Sequence, residues 1–234
     1  MTNPQTSGSY YGDEYDYDKE QINDSISLGN FLWLATGKGV IKINQTTRER
    51  TEYTKDNSDL PANEVESIAA SQALPWIGTY GNRIAFMDDK TNKWVAVPYD
   101  MSLFEEGSIE KDGKVLLKGD EDNWLRTNYI HFDVNNTLWV GTSVGLLRLE
   151  HKADKTVWLG PFNPTKDKHL NVLFIRDVEN GIEISGNYGK RGYEKPIDEI
   201  KTYFLPNTIS ADNWQAMEKI PTDESISEDI DANE

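Results

Sequence analysis

Apolar and polar residues alternate with a step near two from residue 23 to about residue 205, in short runs broken by Gly, Asn, Asp and Pro, and this pattern predicts a series of short β-strands. Within it one phrase recurs: Phe31-Leu-Trp-Leu-Ala-Thr-Gly-Lys-Gly39, Leu74-Pro-Trp-Ile-Gly-Thr-Tyr-Gly81 and Thr137-Leu-Trp-Val-Gly-Thr-Ser-Val-Gly145. A worn fourth copy stands in Gly181-Ile-Glu-Ile-Ser-Gly-Asn-Tyr-Gly189. The key positions, Trp33, Trp76, Trp139 and Glu183, lie 43, 63 and 44 residues apart, and two of those spacings suit a four-stranded propeller blade.

The surroundings of each copy repeat as well. Shortly upstream runs an alternating strand with Ile26/Leu28, Val65/Ile68, Ile130/Phe132 or Val172/Phe174. About 20 residues downstream an aromatic (Tyr53, Trp94, Trp158 or Tyr203) sits in a further strand-like run. Each unit therefore reads as four strands, and such a unit cannot bury both of its faces alone; radial stacking of blades solves this. Gly78 and Gly141 in the phrase let neighbouring backbones approach, while Gly39 and Gly145 supply the turn into the third strand. Trp33, Trp76 and Trp139 hold equal places flanked by Leu and Ile, which argues for packing between blades over a row of sugar platforms. The expected fold is all-β and propeller-like: four recognisable blades, a candidate degenerate fifth in Ser108 to Asp122, and either a small closed ring or an open arc.

Thr137 to Leu149 and Asn57-Ser-Asp-Leu-Pro-Ala-Asn-Glu-Val-Glu-Ser-Ile68 resemble the repeats of two-component-regulator propellers, whose wording is LWxGTxxGLxRxD followed by NSxLPxNxVxSI. The resemblance covers roughly residues 23–205. It implies sensor-type propeller blades of the sort that precede membrane sensor kinases in many bacteria. No kinase, phosphoacceptor-histidine or response-regulator part is recognisable, and full propellers of that family have many more blades.

The flanks break the strand pattern, giving three parts: an arm over 1–22, a propeller-like domain over 23–206, and a helix with an acidic tail over 207–234. The arm is rich in Tyr, Asp, Gly and Ser, and reads as flexible, with Tyr10, Tyr11, Tyr15 and Tyr17 as partner contacts. In the last part Ser210 suits an N-cap, and Trp214, Met217 and Ile220 follow at three-residue steps before Pro221, which predicts a short amphipathic helix. It serves either to cover a blade edge or, through Trp214 and Met217, to anchor on another subunit.

Formal charge is −16, of which residues 1–20 carry −4 and residues 222–234 carry −6. An acidic surface of this kind excludes nucleic acid as an expected partner. There is no Cys, so neither a disulfide framework nor a thiolate site is expected. No apolar run is long enough for membrane insertion by a helix. Without a secretory pattern at the start, the expectation is a protein of the cytoplasm, or of a particle assembled there.

Chemistry is sparse. His131, His151 and His169 stand in unrelated contexts, and Asp120-Glu-Asp-Asn123 lacks the alternate ligands, central Gly and closing Glu of a calcium loop. Gly186-Asn-Tyr-Gly189-Lys-Arg-Gly192 is glycine-rich and basic, yet lacks the setting of a phosphate loop; it reads as a blade turn. No catalytic, cofactor or metal residue is named, and no enzyme or cofactor is expected. The leading expectation is a non-enzymatic interaction or scaffolding module with protein partners in a larger bacterial or phage assembly. The alternative is a ligand-sensing propeller domain that binds a glycan or small molecule.

Overall fold

The computed structural model describes residues 21–81, 83–100, 103, 110–111, 114–115, 125–152, 155–162, 170–187 and 200–206. They form an all-β, four-blade propeller arrangement. Blade I is the antiparallel meander β1 (Ile22–Leu28), β2 (Phe31–Thr36), β3 (Gly39–Asn44) and β4 (Arg50–Tyr53); blade II is β5 (Val65–Ser71), β6 (Leu74–Thr79), β7 (Arg83–Asp88) and β8 (Lys93–Pro98). After a two-residue ladder of β9 (Glu110–Lys111) and β10 (Lys114–Val115) comes blade III, with β11 (Thr127–Phe132), β12 (Leu138–Thr142), β13 (Gly145–Lys152) and β14 (Lys155–Phe162). Blade IV holds β15 (Asn171–Val178), β16 (Gly181–Asn187) and β17 (Lys201–Pro206).

The first strands pack side by side in the order β1, β5, β11, β15, so they form the inner wall of the arrangement. Three apolar clusters fill the spaces between successive blades. Trp33, Ala35 and Val40 of blade I meet Val65, Ile68 and Ile77 of blade II. Ile84 of blade II meets Ile130, Val140 and Leu147 of blade III. Trp139 and Leu146 of blade III meet Val172, Ile175 and Ile184 of blade IV. Among the described residues no packed interface joins blade IV back to blade I.

The phrase now has a geometric meaning. Trp33 and Trp139 are buried and Trp76 half-buried, each facing the following blade. On the third strand the residue opposite each Trp covers its ring. Lys42 Nζ lies 4.9 Å from Trp33, Phe86 stacks at 4.7 Å on Trp76, and the Arg148 guanidinium lies 5.2 Å from Trp139. Ala35, Gly78 and Gly141 share one place two residues further on, where the next blade's inner strand comes closest. A Cβ on Gly141 would stand 2.7 Å from Val172 Cγ1, and one on Gly78 would stand 2.5 Å from Thr127 Cγ2. Thr36, Thr79 and Thr142 close the phrase, each hydroxyl donating to the backbone carbonyl of Gly39, Arg83 or Gly145 across the hairpin.

The fourth copy is worn for a physical reason. Glu183 stands where the other blades have Trp, and it pairs with Arg176 at 2.6 Å on a face that meets no further blade among the described residues. Two details of the sequence reading need correction. Tyr203 lies on β17, which pairs directly with β16 and so takes third place; blade IV has three strands among the described residues, not four. Phe174 is exposed, and the buried pair on β15 is Val172 and Ile175. The candidate fifth unit contributes only the β9–β10 ladder, and the rest of Ser108 to Asp122 lies outside the described residues.

Gly141→Val is expected to destabilise the protein by about 1–3 kcal/mol, the usual cost of overpacking a core. Gly37→Ala, where a Cβ meets nothing within 4 Å, should leave stability nearly unchanged. Trp139→Ala should cost about 3–5 kcal/mol, because it leaves a cavity and strips Asp133 of the indole N–H it accepts at 2.9 Å. Urea titration of the three variants checks all of this.

Candidate functional site

Each inner strand opens with a β-bulge at the same place, so one residue per blade falls out of the ladder: Asn23, Glu66, Asn128 and Leu173. A bulge re-aims its side chain, and here the first three reach the next blade. Asn23 Nδ2 donates to Val65 O at 2.8 Å, and Asn128 Nδ2 donates to Val172 O and Asn171 Oδ1, both at 2.8 Å. Glu66 forms an ion pair with Arg126, whose backbone bridges to Tyr80. Leu173 stands exposed.

The residue after each bulge forms a second row: Asp24, Ser67, Tyr129 and Phe174. Asp24 Oδ2 accepts from Ser67 Oγ at 3.1 Å and from Ile68 N at 2.9 Å, and Ser67 Oγ in turn accepts from Ile130 N at 3.1 Å. Tyr129 and Phe174 meet ring to ring at 5.1 Å. The row thus runs from carboxylate through hydroxyl to aromatic across four blades. Asn171 adds a donation to Asn187 Oδ1 at 3.1 Å. These groups share one end of the four inner strands, the axial mouth; Ser67 is buried there, while the rings of Tyr80 and Phe174 stand exposed.

Electrostatics at the mouth favour neutral tyrosines. Burial raises Tyr129 above the ordinary phenol value, and the charge of Asp24 raises it further. Tyr99, fully buried against the Thr127 hydroxyl, is pushed far up by burial. Lower on the same wall His131 Nε2 lies 3.2 Å from Asp177 Oδ2, close enough for an ion pair but outside hydrogen-bond geometry. The mouth offers hydrogen-bond donors, acceptors and ring faces, the means of holding a polar ligand. Among the described residues no cluster of His, Asp and Glu suits a metal.

A second concavity of about 610 Å³ lies on the outer rim between blades I and II, lined by Glu52, Tyr53, Asp56, Asp59, Lys93 and Trp94 among others. Behind it Trp33, Tyr53 and Trp94 pack with centroids 5.9–6.2 Å apart.

Of the residues singled out from sequence, Trp33, Trp76, Trp139, Gly78 and Gly141 lie between blades, away from the mouth. Tyr10, Tyr11, Tyr15, Tyr17, Trp214 and Met217 lie outside the described residues, as do Asp120 to Asn123 and His169. Gly186 and Asn187 end β16, and the loop after them is outside the description. The bulge residues were missed. Their signal was present in Val65 and Ile68, whose three-residue step breaks the alternation where the bulge falls.

No protein-family model and no curated protein matches this chain. Among solved structures, it is similar to the extracellular domain of the hybrid two-component system BT4673 from B. thetaiotaomicron. The identity is 15% and the TM-score 0.56, over 80% of this chain and 22% of that one. The extracellular domain of BT3049 from the same organism gives 20% identity and a TM-score of 0.50, over 72% of this chain and 20% of that one. Virginiamycin B lyase from Staphylococcus aureus gives 14% and 0.50, over 83% and 59%. The chain thus spans about a fifth of the length of the sensor domains it matches. These likenesses show the fold, and they agree with blades of the two-component-regulator propeller type. They correct the expectation of a cytoplasmic protein or particle, since the sensor neighbours are extracellular domains. They lend nothing to the scaffold or phage reading, and the lyase shows that enzymes share the fold.

Because the fold holds the Tyr99 and Tyr129 protons more tightly than the unfolded chain does, stability should be level up to about pH 9 and fall as pH rises past about 10, where unfolded tyrosines ionise. The urea midpoint measured at pH 8 and pH 10.5 checks the sign; an equal midpoint at both would contradict it. Asn128→Ala should cost about 1–3 kcal/mol at pH 7, since two hydrogen bonds to blade IV are lost together.

Proposed function

We propose that this chain is a ligand-sensing propeller module of the two-component-regulator propeller type, acting outside the cytoplasm, and that its axial mouth receives a neutral, hydroxyl-rich ligand such as an oligosaccharide. The observation that carries the reading is the pair of rows at the mouth. Asn23, Glu66 and Asn128 stand beside Asp24, Ser67 and Tyr129, with Arg126 and the exposed Tyr80 at the rim. Amides and carboxylates at fixed positions discriminate among hydroxyl groups, and ring faces hold the apolar side of a sugar. The rows rest on rigid inner strands, so a ligand meets a pre-formed surface. The likeness to extracellular sensor domains supports binding as the role over scaffolding.

The test is calorimetric titration of the chain against a panel of neutral oligosaccharides. Tyr80→Ala and Arg126→Ala are expected to weaken the best ligand at least tenfold while leaving the melting temperature within a few degrees. Asn92→Ala, on the outer rim, should leave affinity unchanged. Binding that survives both mouth substitutions and falls with Asn92→Ala would move the site to the rim and overturn the reading.

A further inference from the structure

Trp94 and Trp158 hold equivalent places in blades II and III. Each stands on the fourth strand, opposite the residue that follows the cover of the phrase Trp: Met87 after Phe86, and Leu149 after Arg148. Both rings are buried against the preceding blade, yet their indole N–H groups fare differently. Trp158 Nε1 donates to Pro98 O, on the last strand of blade II, at 2.9 Å. Trp94 Nε1 is buried and has no partner. The cause is in blade I. The threonine that closes each phrase donates to Arg83 O in blade II and to Gly39 O in blade I, so Thr54, the residue after Tyr53 across that hairpin, stands where blade II has Pro98. Thr54 O is already taken, accepting from Ser58 N at 2.9 Å and from Ser58 Oγ at 2.6 Å. A buried donor left unmet is costly, and Trp94, only 3% exposed, lines the rim concavity of about 610 Å³.

We infer that the rim concavity between blades I and II holds a basic peptide segment of a partner protein, one backbone carbonyl of which accepts from Trp94 Nε1 as Pro98 O does from Trp158. A peptide carbonyl is the acceptor that this position takes one blade further on. The basic side chain follows from charge, since the lining carries Glu52, Asp56 and Asp59 against Lys93. Asp59 is paired with Lys93 at 3.1 Å, and Glu52 with Arg50 at 2.9 Å. Asp56 is exposed and in no ion pair among the described residues, so it is left to receive a Lys or Arg. Asn92, in the turn between β7 and β8, adds an amide to the same wall. The site lies on β4, β8 and their turns, whereas the axial mouth lies on the inner strands, so the peptide stands independently of the proposed sugar.

The probe is a terminally blocked lysine–alanine hexapeptide, titrated into the isotope-labelled full chain at low salt beside a glutamate–alanine hexapeptide. Nuclear magnetic resonance follows the indole N–H signals of the 7 Trp residues, with that of Trp94 identified by its loss in Trp94→Phe. The lysine peptide is expected to move the Trp94 signal downfield and to bind about tenfold more tightly than the glutamate peptide. Trp94→Phe, which keeps a ring and removes the donor, should weaken the lysine peptide about fivefold, and Asp56→Asn about threefold, with melting temperatures within a few degrees. Tyr80→Ala, at the mouth, should leave peptide binding unchanged. Without peptide, Trp158→Phe breaks a bond already made and should lower the melting temperature more than Trp94→Phe does. A Trp94 signal that stays still in millimolar lysine peptide, equal affinity for the two peptides, or affinity indifferent to both Trp94→Phe and Asp56→Asn overturns the inference. So does a Trp94 signal that moves with a neutral oligosaccharide and not with the peptide.

Discussion

One blade cannot cover both of its own faces, and the whole arrangement follows from that constraint. Each of the first three blades turns its Trp-bearing face to the inner strand of the next, and at Gly78 and Gly141 the approach is so close that a Cβ would collide. The interfaces are relayed in one direction, so the two ends of the series face different problems. Blade IV solves its own by exchanging Trp for Glu183 and pairing it with Arg176. Blade I buries Leu34, Ile41 and Ile43 on the face turned away from blade II.

The axial mouth is a by-product of the same packing. Inner strands crowd where blades converge, and a bulge in each relieves the crowding while turning one side chain along the wall. Asn23 and Asn128 use that freedom to tie blade to blade through backbone carbonyls. The groups proposed to meet ligand are therefore held by the packing that builds the fold. A sensing role gains from this, since a ligand bridging two blades acts on their interface.

Much of the fold was legible because its determinants are local and repeated. The spacing of Trp33, Trp76 and Trp139, the turn glycines and the downstream Tyr53, Trp94 and Trp158 mark strands that pair with their sequence neighbours. The fourth unit was misread because Tyr203 sits at the expected distance from Glu183, yet distance along the chain does not reveal which strand pairs with β16. The site was hardly legible. Asn23, Glu66, Asn128 and Leu173 share a structural place but no side-chain chemistry, and only their common bulge brings them to one mouth. Compartment was read from the first residues and the lack of Cys, weak sources that the extracellular neighbours overrule.

The central claim is that stability is relayed from blade to blade through the Trp and Gly faces, and native-state hydrogen exchange across the chain tests it most directly. Blades packed on both sides should open only with the whole molecule, so the amides of β5, β6, β11 and β12 should exchange slowest and those of β17, the edge strand of its sheet among the described residues, fastest. Protection that is equal in β17 and β12, or that is lower in blades II and III than at the two ends, would contradict the account.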